Sequence, residues 1–246
     1  MAEAILAARG LSRRFGGLTA VRDVTLDLRL GEIHAVIGPN GAGKTTLVNL
    51  LSGELAPSAG SILFEGHEIA GMSAPAIAQR GIARSYQRVN VFPDFSAFEN
   101  CRLAAQSRVT SSLRLVRSRR DLAEKAREML GLVGLEDTRR PASAMSHGER
   151  RQLEIAMTLA MSPKVLLLDE PLAGMGIEES RRMTDLIRGL AANHAVLLVE
   201  HDMDAVFSVA QILTVMVDGA VLASGDPESV RRNRAVQDAY LGAGNA

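Results

Sequence analysis

Eleven residues, Val36-Ile37-Gly38-Pro39-Asn40-Gly41-Ala42-Gly43-Lys44-Thr45-Thr46, hold glycines, a lysine and a hydroxyl at the Gly-x-x-x-x-Gly-Lys-Thr spacing of a phosphate-binding loop. Successive backbone N–H groups at such a turn curl around a phosphate, and the following helix adds the partial positive charge of its N-terminus. Side chains at Gly38, Gly41 and Gly43 would crowd a ligand or block positive φ. Lys44 is expected to reach the β- and γ-phosphates, and the Thr45 hydroxyl to bind Mg²⁺. An ordinary Gly-rich turn is the alternative. The strand-like residues 32–37 before it and the helix-like residues 45–51 after it argue for the loop.

Two apolar runs end in charge. Val165-Leu166-Leu167-Leu168 leads to Asp169-Glu170-Pro171. Ligands bind beyond the carboxyl ends of parallel strands. Asp169 there can hold Mg²⁺, and Glu170 can act as general base on an attacking water. Without the phosphate loop, two solvated carboxylates at a strand end would be the preferred reading. Leu197-Leu198-Val199 leads to Glu200-His201-Asp202 and sets His201 where a γ-phosphate could lie. Ser146-His147-Gly148-Glu149 precedes an amphipathic run with Leu153, Ala156, Met157 and Ala160 on one face. Locally it reads as a capping box, with Ser146 capping and Glu149 returning a bond. A Ser and a Gly at an open helix N-terminus also form an anion site. A second such site beside a phosphate loop points to a pocket completed by another subunit.

The elements that must position these groups follow from periodicity. Residues 5–15 and 21–30 alternate with period 2, as half-buried antiparallel strands do, with a turn at Gly16-Gly17. Phe15 in that strand is a core residue or a platform for a nucleobase. Its spacing alone favours the core. Residues 61–66 read as a strand, 74–80 as a short helix, and Ala83–Gln87 as a strand ending at Gln87. From 88 to 164 helical patterns dominate, including Phe98 to Leu103. Over 121–132, Leu122, Ala126, Met129 and Leu130 share one face. Residues 107–120 hold five arginines and no acid, which reads first as a solvated loop, with a basic surface for a partner or lipid headgroups as the alternative. Strands at 165–169, 195–200, 212–217 and 220–223 alternate with helices at 177–191 and 202–210. Unbroken apolar runs of this kind suit parallel strands buried on both faces. Two short helical patterns close the chain after Asp226.

The chain has 246 residues, 47% hydrophobic and 23% charged, with Lys+Arg and Asp+Glu both 28. That length supports a proper core, and the zero net charge gives no sign of nucleic acid as the main partner while leaving room for local basic clusters. Cys101 is the single cysteine, expected as a small buried thiol and consistent with a reducing cytoplasm. Met1 to Gly10 lacks a basic stretch followed by an apolar one, so no signal peptide is expected. No apolar run approaches a membrane span. Work at a membrane would need a partner subunit.

Taken together, Gly38–Thr46, Met145–Glu149, Val165–Pro171 and Glu200–Asp202 resemble, in order and spacing, the ATP-binding subunit of ATP-binding-cassette (ABC) transporters. Gln87 falls where that family has its Mg²⁺-sensing glutamine. The subgroup most similar is the ATPase of bacterial branched-chain amino acid importers. Arg14–Leu18, Ile82–Gln87, Pro171–Met175, Glu200–Met203 and Ala239–Gly242 carry that likeness. Two departures stand out. Met145, His147 and Glu149 replace three residues of the family's Leu-Ser-Gly-Gly-Gln signature. The loop through Ala173-Gly174-Met175 lacks the family's Asp.

The resemblance implies an α/β fold: a RecA-like P-loop core with an antiparallel β subdomain over residues 1–87 and 165–225. A helical subdomain would be inserted at 88–164, and a C-terminal extension would follow at 226–246. It implies ATP and Mg²⁺ as ligands. Glu170, His201, Lys44 and Gln87 would be catalytic, and Thr45, Gln87 and Asp169 would face the metal. Phe15 would stack on adenine, which reverses its ranking as a core residue. Val21, Gly38, Pro39, Asn40, Gly41, Ala42, Gly43, Lys44, Thr45 and Thr46 would complete the nucleotide contacts within one subunit. Ser146, Gly148 and Glu149 would cover the ATP of a second ATPase subunit, identical or paralogous. Transmembrane permease subunits would hold the protein on the cytoplasmic face of the inner membrane, through Gln87 and the loop from Arg88 to Phe95. Urea or amide import, lipopolysaccharide export and a soluble non-transport ABC ATPase are the alternatives.

Overall fold

The computed structural model describes residues 3–86, 90–107 and 119–242. Gln87, most of the arginine-rich segment and the last four residues lie outside the described residues. Along the chain run β1 (Leu6–Phe15), β2 (Leu18–Leu28), β3 (Ile33–Ile37), α1 (Lys44–Leu51), β4 (Ala59–Phe64), β5 (His67–Glu68), α2 (Ala74–Arg80), β6 (Ile82–Arg84) and α3 (Ala97–Gln106). Then come α4 (Arg119–Leu132), a 3₁₀ turn (Ala142–Ala144), α5 (His147–Ala160), β7 (Val165–Asp169), α6 (Ile177–Leu190), β8 (Ala195–Val199), α7 (Met203–Val209), β9 (Ile212–Val217), β10 (Ala220–Gly225), α8 (Pro227–Arg232) and α9 (Arg234–Gly242).

Two sheets form. The first is antiparallel, in order β2-β1-β4-β5. The second runs β10-β9-β3-β8-β7-β6 and is parallel except for β10. The alternating pattern of β1 and β2 fits a sheet with one dry face. The unbroken apolar runs of β7 and β8 have a different cause. Leu166, Leu168, Val196 and Leu198 enter one core cluster, while Val165, Leu167, Ala195, Leu197 and Val199 enter the other. Both faces of these strands are dry, so every position before Asp169 in β7 and throughout β8 is apolar. Truncating such a side chain to Ala typically costs about 2–5 kcal/mol.

The first cluster continues into α3, α4 and α5 through Cys101, Ala126, Leu130, Leu153 and Ala156. Cys101 lies within it, and burial pushes its thiol up to about 12. The second cluster holds the antiparallel sheet and α1 against the opposite face of the parallel sheet. A third packs α7, α8 and α9 on β3 and β9.

The expectations need three adjustments. β2 starts at Leu18, directly after the Gly16-Gly17 turn. β10 is an antiparallel edge strand with half-exposed positions, because a two-residue turn returns the chain from β9. The strand expected at Ala83–Gln87 is the three-residue β6, and it pairs with β7 as far as Arg84 opposite Leu167.

Register brings the motifs together. In β7 and β8, Asp169 lies opposite Val199, and Val199 lies opposite Val36 of β3. Three parallel strands therefore end level. The residues just past them, Gly38, Glu170 and His201, emerge together at the carboxyl ends of these strands.

Candidate active site

The phosphate-loop glycines are needed first by the protein. A Cβ at Gly38 would lie 2.1 Å from the carbonyl oxygen of Met216, and one at Gly43 would lie 2.3 Å from that of Ala20. Gly43 also has φ 94°, left-handed, as N-cap of α1. Backbone from β9 and β2 thus presses on the loop from outside. The β9–β10 turn, Asp218 at φ 49° and Gly219 at φ 79°, clamps it further. Gly219 N–H donates to Ala42 O at 3.2 Å, and Gly219 O accepts from Arg22 N–H at 2.7 Å. Lys44 is buried, and its Nζ donates to Gly38 O at 2.7 Å and Pro39 O at 3.0 Å. Burial lowers its pKa, partly offset by Glu170 and Asp169.

A cleft of about 550 Å³ opens over this loop. Asn40 to Thr46 line it together with Glu170, His201, Asp218, Gly219, Phe15 and Leu18 to Ala20. Gly38 and Pro39 are set behind, offering carbonyls to Lys44. Phe15 is 43% exposed at the cleft, with the Arg13 guanidinium 4.7 Å from its ring centre. It is therefore not a core residue. Val21 corrects the expected contact set in the other direction. It is fully buried in the second core cluster, so its side chain cannot meet a ligand. Leu18, Thr19 and Ala20 take the cleft positions on β2 instead.

The acidic end of the cleft is tightly held. Glu170 has φ 52°, a left-handed value uncommon for a residue with a side chain, where β7 turns away. Its Oε1 lies 2.6 Å from His201 Nε2. A carboxylate only accepts, so Nε2 carries the proton in this pair. Glu200, buried one residue earlier, accepts from Leu172 N–H at 2.7 Å and His201 N–H at 3.0 Å. It locks the turn after Glu170 to the His201 backbone. Asp169 is fully buried, with Oδ2 3.1 Å from Arg84 Nη2. Arg84 also donates to Asn49 Oδ1 and Ser52 Oγ and lies over the Tyr86 ring. Burial raises the Asp169 pKa, and Arg84 opposes the rise. Asp169 Oδ1 is buried with no hydrogen-bond partner.

Ser146 and Gly148 face elsewhere. They line a second cleft of about 770 Å³ with Arg140, Glu179 and Arg182. The capping box is present: Ser146 Oγ accepts from Glu149 N–H at 3.2 Å, and Glu149 Oε2 accepts from Ser146 N–H at 2.7 Å. Arg140 holds the other carboxylate oxygen of Glu149. The Ser146 backbone N–H keeps this carboxyl below its ordinary range. Glu149 is thus committed within its own chain, and an acceptor-only group suits no phosphate. Within its own chain it serves as the cap of α5, and it also lines this second cleft. The two departures from the signature and the following loop meet here. A Cβ on Gly174, at φ 75°, would lie 3.3 Å from the His147 ring. Small size at Gly174 therefore accommodates the larger residue at His147.

Several site residues were not singled out from the sequence. Glu200 ends an apolar run, and Asp218-Gly219 is a hairpin dipeptide between two strands, so both left a local signal. Arg84 left none.

Comparisons with known proteins bear on the family and the fold. The family model described as "ABC transporter" matches residues 21–173. The model described as "Branched-chain amino acid ATP-binding cassette transporter" matches residues 220–246. The chain is 38% identical to the high-affinity branched-chain amino acid transport ATP-binding protein LivG of Salmonella typhimurium, over 98% of this chain and 99% of the relative. It is 41% identical to BraF of Pseudomonas aeruginosa, which bears the same description, over the same shares. Among solved structures, the ADP conformation of MJ1267, an ATP-binding cassette of an ABC transporter, superposes with a TM-score of 0.86 at 27% identity, covering 98% of this chain and 99% of that one. The dimeric post-hydrolysis state of the cassette MJ0796 shares the fold, with a TM-score of 0.79 at 21% identity over 90% and 98%. The chain belongs to the ABC transporter family, as an ATP-binding cassette.

Proposed function

We propose that this protein is the ATP-hydrolysing subunit of a bacterial importer for branched-chain amino acids. The observation that carries the reading is the level ending of β3, β7 and β8, which gathers Lys44, Glu170 and His201 at one cleft. LivG and BraF, named for branched-chain amino acid transport and matched nearly end to end, support the substrate class.

The loop N–H groups and Lys44 bind the ATP phosphates, and Phe15 stacks on the adenine. Glu170 takes the proton of a water as its oxygen bonds to the γ-phosphorus and the bond to the bridging oxygen breaks. His201 orients Glu170 and the reacting phosphate. Mg²⁺ fits the donors present, because Asp169 Oδ1 is buried and unpartnered and Thr45 is exposed at the start of α1. These are hard oxygen ligands of the kind that cation takes beside substrate phosphates. When bound, it neutralises charge building on the phosphates. Gln87 is a further contact in this reading.

Ser146 and Gly148 occupy a different cleft from Lys44. Each therefore serves the ATP of a second ATPase subunit, identical or paralogous. Closure of that pair on ATP drives permease subunits, which hold the protein at the cytoplasmic face of the inner membrane. Among the described residues no helix is long and apolar enough to cross a membrane.

The test is transport. The chain is purified with co-encoded permeases, reconstituted in vesicles, and assayed for ATP-dependent uptake of leucine and of urea. Leucine uptake lost in Lys44→Ala is expected. Urea uptake without leucine uptake would replace the substrate, and permease-free ribosomal or DNA complexes would reject the transport reading.

A further inference from the structure

α5 begins at Ser146 and Gly148, and one turn further in it carries a buried ion pair. Arg151 Nη1 lies 2.7 Å from Glu154 Oε2, with the two side chains 1% and 5% exposed. Burying two charges costs several kcal/mol of desolvation each, and an apolar pair of similar volume is often no less stable. Packing therefore does not explain these residues. Their other partners do.

Arg151 Nη1 also donates to Tyr86 O, and Nη2 donates to Glu170 O at 3.4 Å. Glu154 Oε1 accepts from Tyr86 N–H at 2.9 Å, and the carboxylate also accepts from the Asn90 N–H. Both backbone groups of Tyr86 are thus gripped by one pair on α5. So is Asn90, on the far side of Gln87 in the sequence. The guanidinium spans from there to the backbone of the Glu170 turn, whose left-handed φ needs outside support. Desolvation raises the Glu154 pKa, and the Tyr86 N–H and Arg151 oppose it.

We infer that Arg151 is a positioning residue that makes the start of α5, the chain on both sides of Gln87 and the Glu170 turn move as one body. This rests on the proposed function, because it supposes that the other subunit's ATP engages Ser146 and Gly148. A displacement of α5 caused by that contact passes through one rigid, forked side chain to the base and to the segment facing the permease. Arginine suits the task because its planar fork meets several acceptors at once, which a lysine ammonium on a flexible stem does not.

The experiment uses the full chain in two variants. Arg151→Lys keeps the charge and loses the fork. Arg151→Met combined with Glu154→Leu removes both charges and keeps the volume. Hydrogen exchange is followed with and without Mg-ATP in peptides covering 84–92, 146–154 and 168–174, alongside steady-state phosphate release. In the unaltered chain ATP is expected to protect all three together. In both variants the ATP response of 84–92 and 168–174 is expected to separate from that of 146–154. kcat should fall at least tenfold with KM within twofold. A merely structural pair would lower the melting temperature and leave these ratios alone. Unchanged joint protection and unchanged kcat in Arg151→Lys would overturn the inference, whether or not the double variant folds. Glu170→Gln serves as control. Full hydrolysis in that variant would reject the assignment of the base, separately from the role of Arg151.

Discussion

His201 Nε2 stands 2.6 Å from Glu170 Oε1, although 31 residues separate them in the chain. The pair exists because β7 and β8 are parallel neighbours in register, with Glu170 N–H donating to Val199 O at 2.8 Å. Glu170→Gln keeps the shape and removes the proposed base, so hydrolysis should fall by roughly 10²–10⁴, the range of general-base catalysis. ATP should still bind and hold two subunits together. Phosphate release and size-exclusion chromatography with ATP check both points. Ordinary turnover in Glu170→Gln would mean that the base lies elsewhere.

His201→Ala separates orientation from proton transfer. It leaves Glu170 in place without its Nε2–H partner. Turnover should fall roughly 10²–10³-fold, as when one donor to the developing charge is lost, with ATP affinity nearly unchanged. A matching loss of affinity would make His201 a binding residue, and nucleotide titration distinguishes the two.

The phosphate-loop glycines should differ from one another. At Gly38 a Cβ meets the Met216 carbonyl at 2.1 Å, whereas at Gly41 nothing lies within 4 Å. Gly41→Ala therefore carries only the strain of φ 81°, about 1–2 kcal/mol. Gly38→Ala must displace backbone of β9 and should cost more in urea unfolding and abolish ATP binding. Equal stabilities for the two variants would contradict the close approach.

Arg84 neutralises an Asp169 carboxylate that is entirely buried. Arg84→Met removes one partner of that pair and should destabilise the fold by about 3–5 kcal/mol. The urea midpoint measures this. A variant as stable as the parent would show that Asp169 finds another partner.

His34 supplies a pH dependence. Its ring is buried between Asp27 O at 3.0 Å and Thr214 Oγ1 at 2.7 Å. Burial lowers its pKa below the ordinary 6.5, and the Asp27 carbonyl only partly offsets this. The unfolded chain therefore takes up a proton first as pH falls. The stability is present above pH 6.5 and lost as pH drops through the lower folded value, at up to about 1.4 kcal/mol per pH unit. Urea midpoints from pH 7.5 to 5 should slope less steeply in His34→Asn. Parallel slopes would remove His34 as the cause.

Local chemistry was legible in the chain itself. The strand, glycine turn and helix of Gly38–Thr46 need only neighbouring residues, as does the Ser146–Glu149 capping box. The runs before Asp169 and Glu200 announce buried strands by composition alone. Facing was less legible. The β1–β2 register shifts between Ala8 and Leu11, Leu11 and Arg13, and Arg13 and Arg14. Alternation counted from the core end therefore misplaces Phe15, and it gives no means of separating Val21 from Leu18 to Ala20.

What the sequence determined by itself is which residues can hold phosphate, metal and water, because that chemistry resides in short spacings. The tertiary structure decided which of them share a cleft. Glu170 meets His201, Arg84 meets Asp169 and Arg151 meets Glu170 only through strand register and helix packing between residues far apart in the chain. It also set Ser146 and Gly148 in a cleft apart from Lys44. Local periodicity constrains a residue's face within its own element, while the partner on that face is chosen by how whole elements exclude water together.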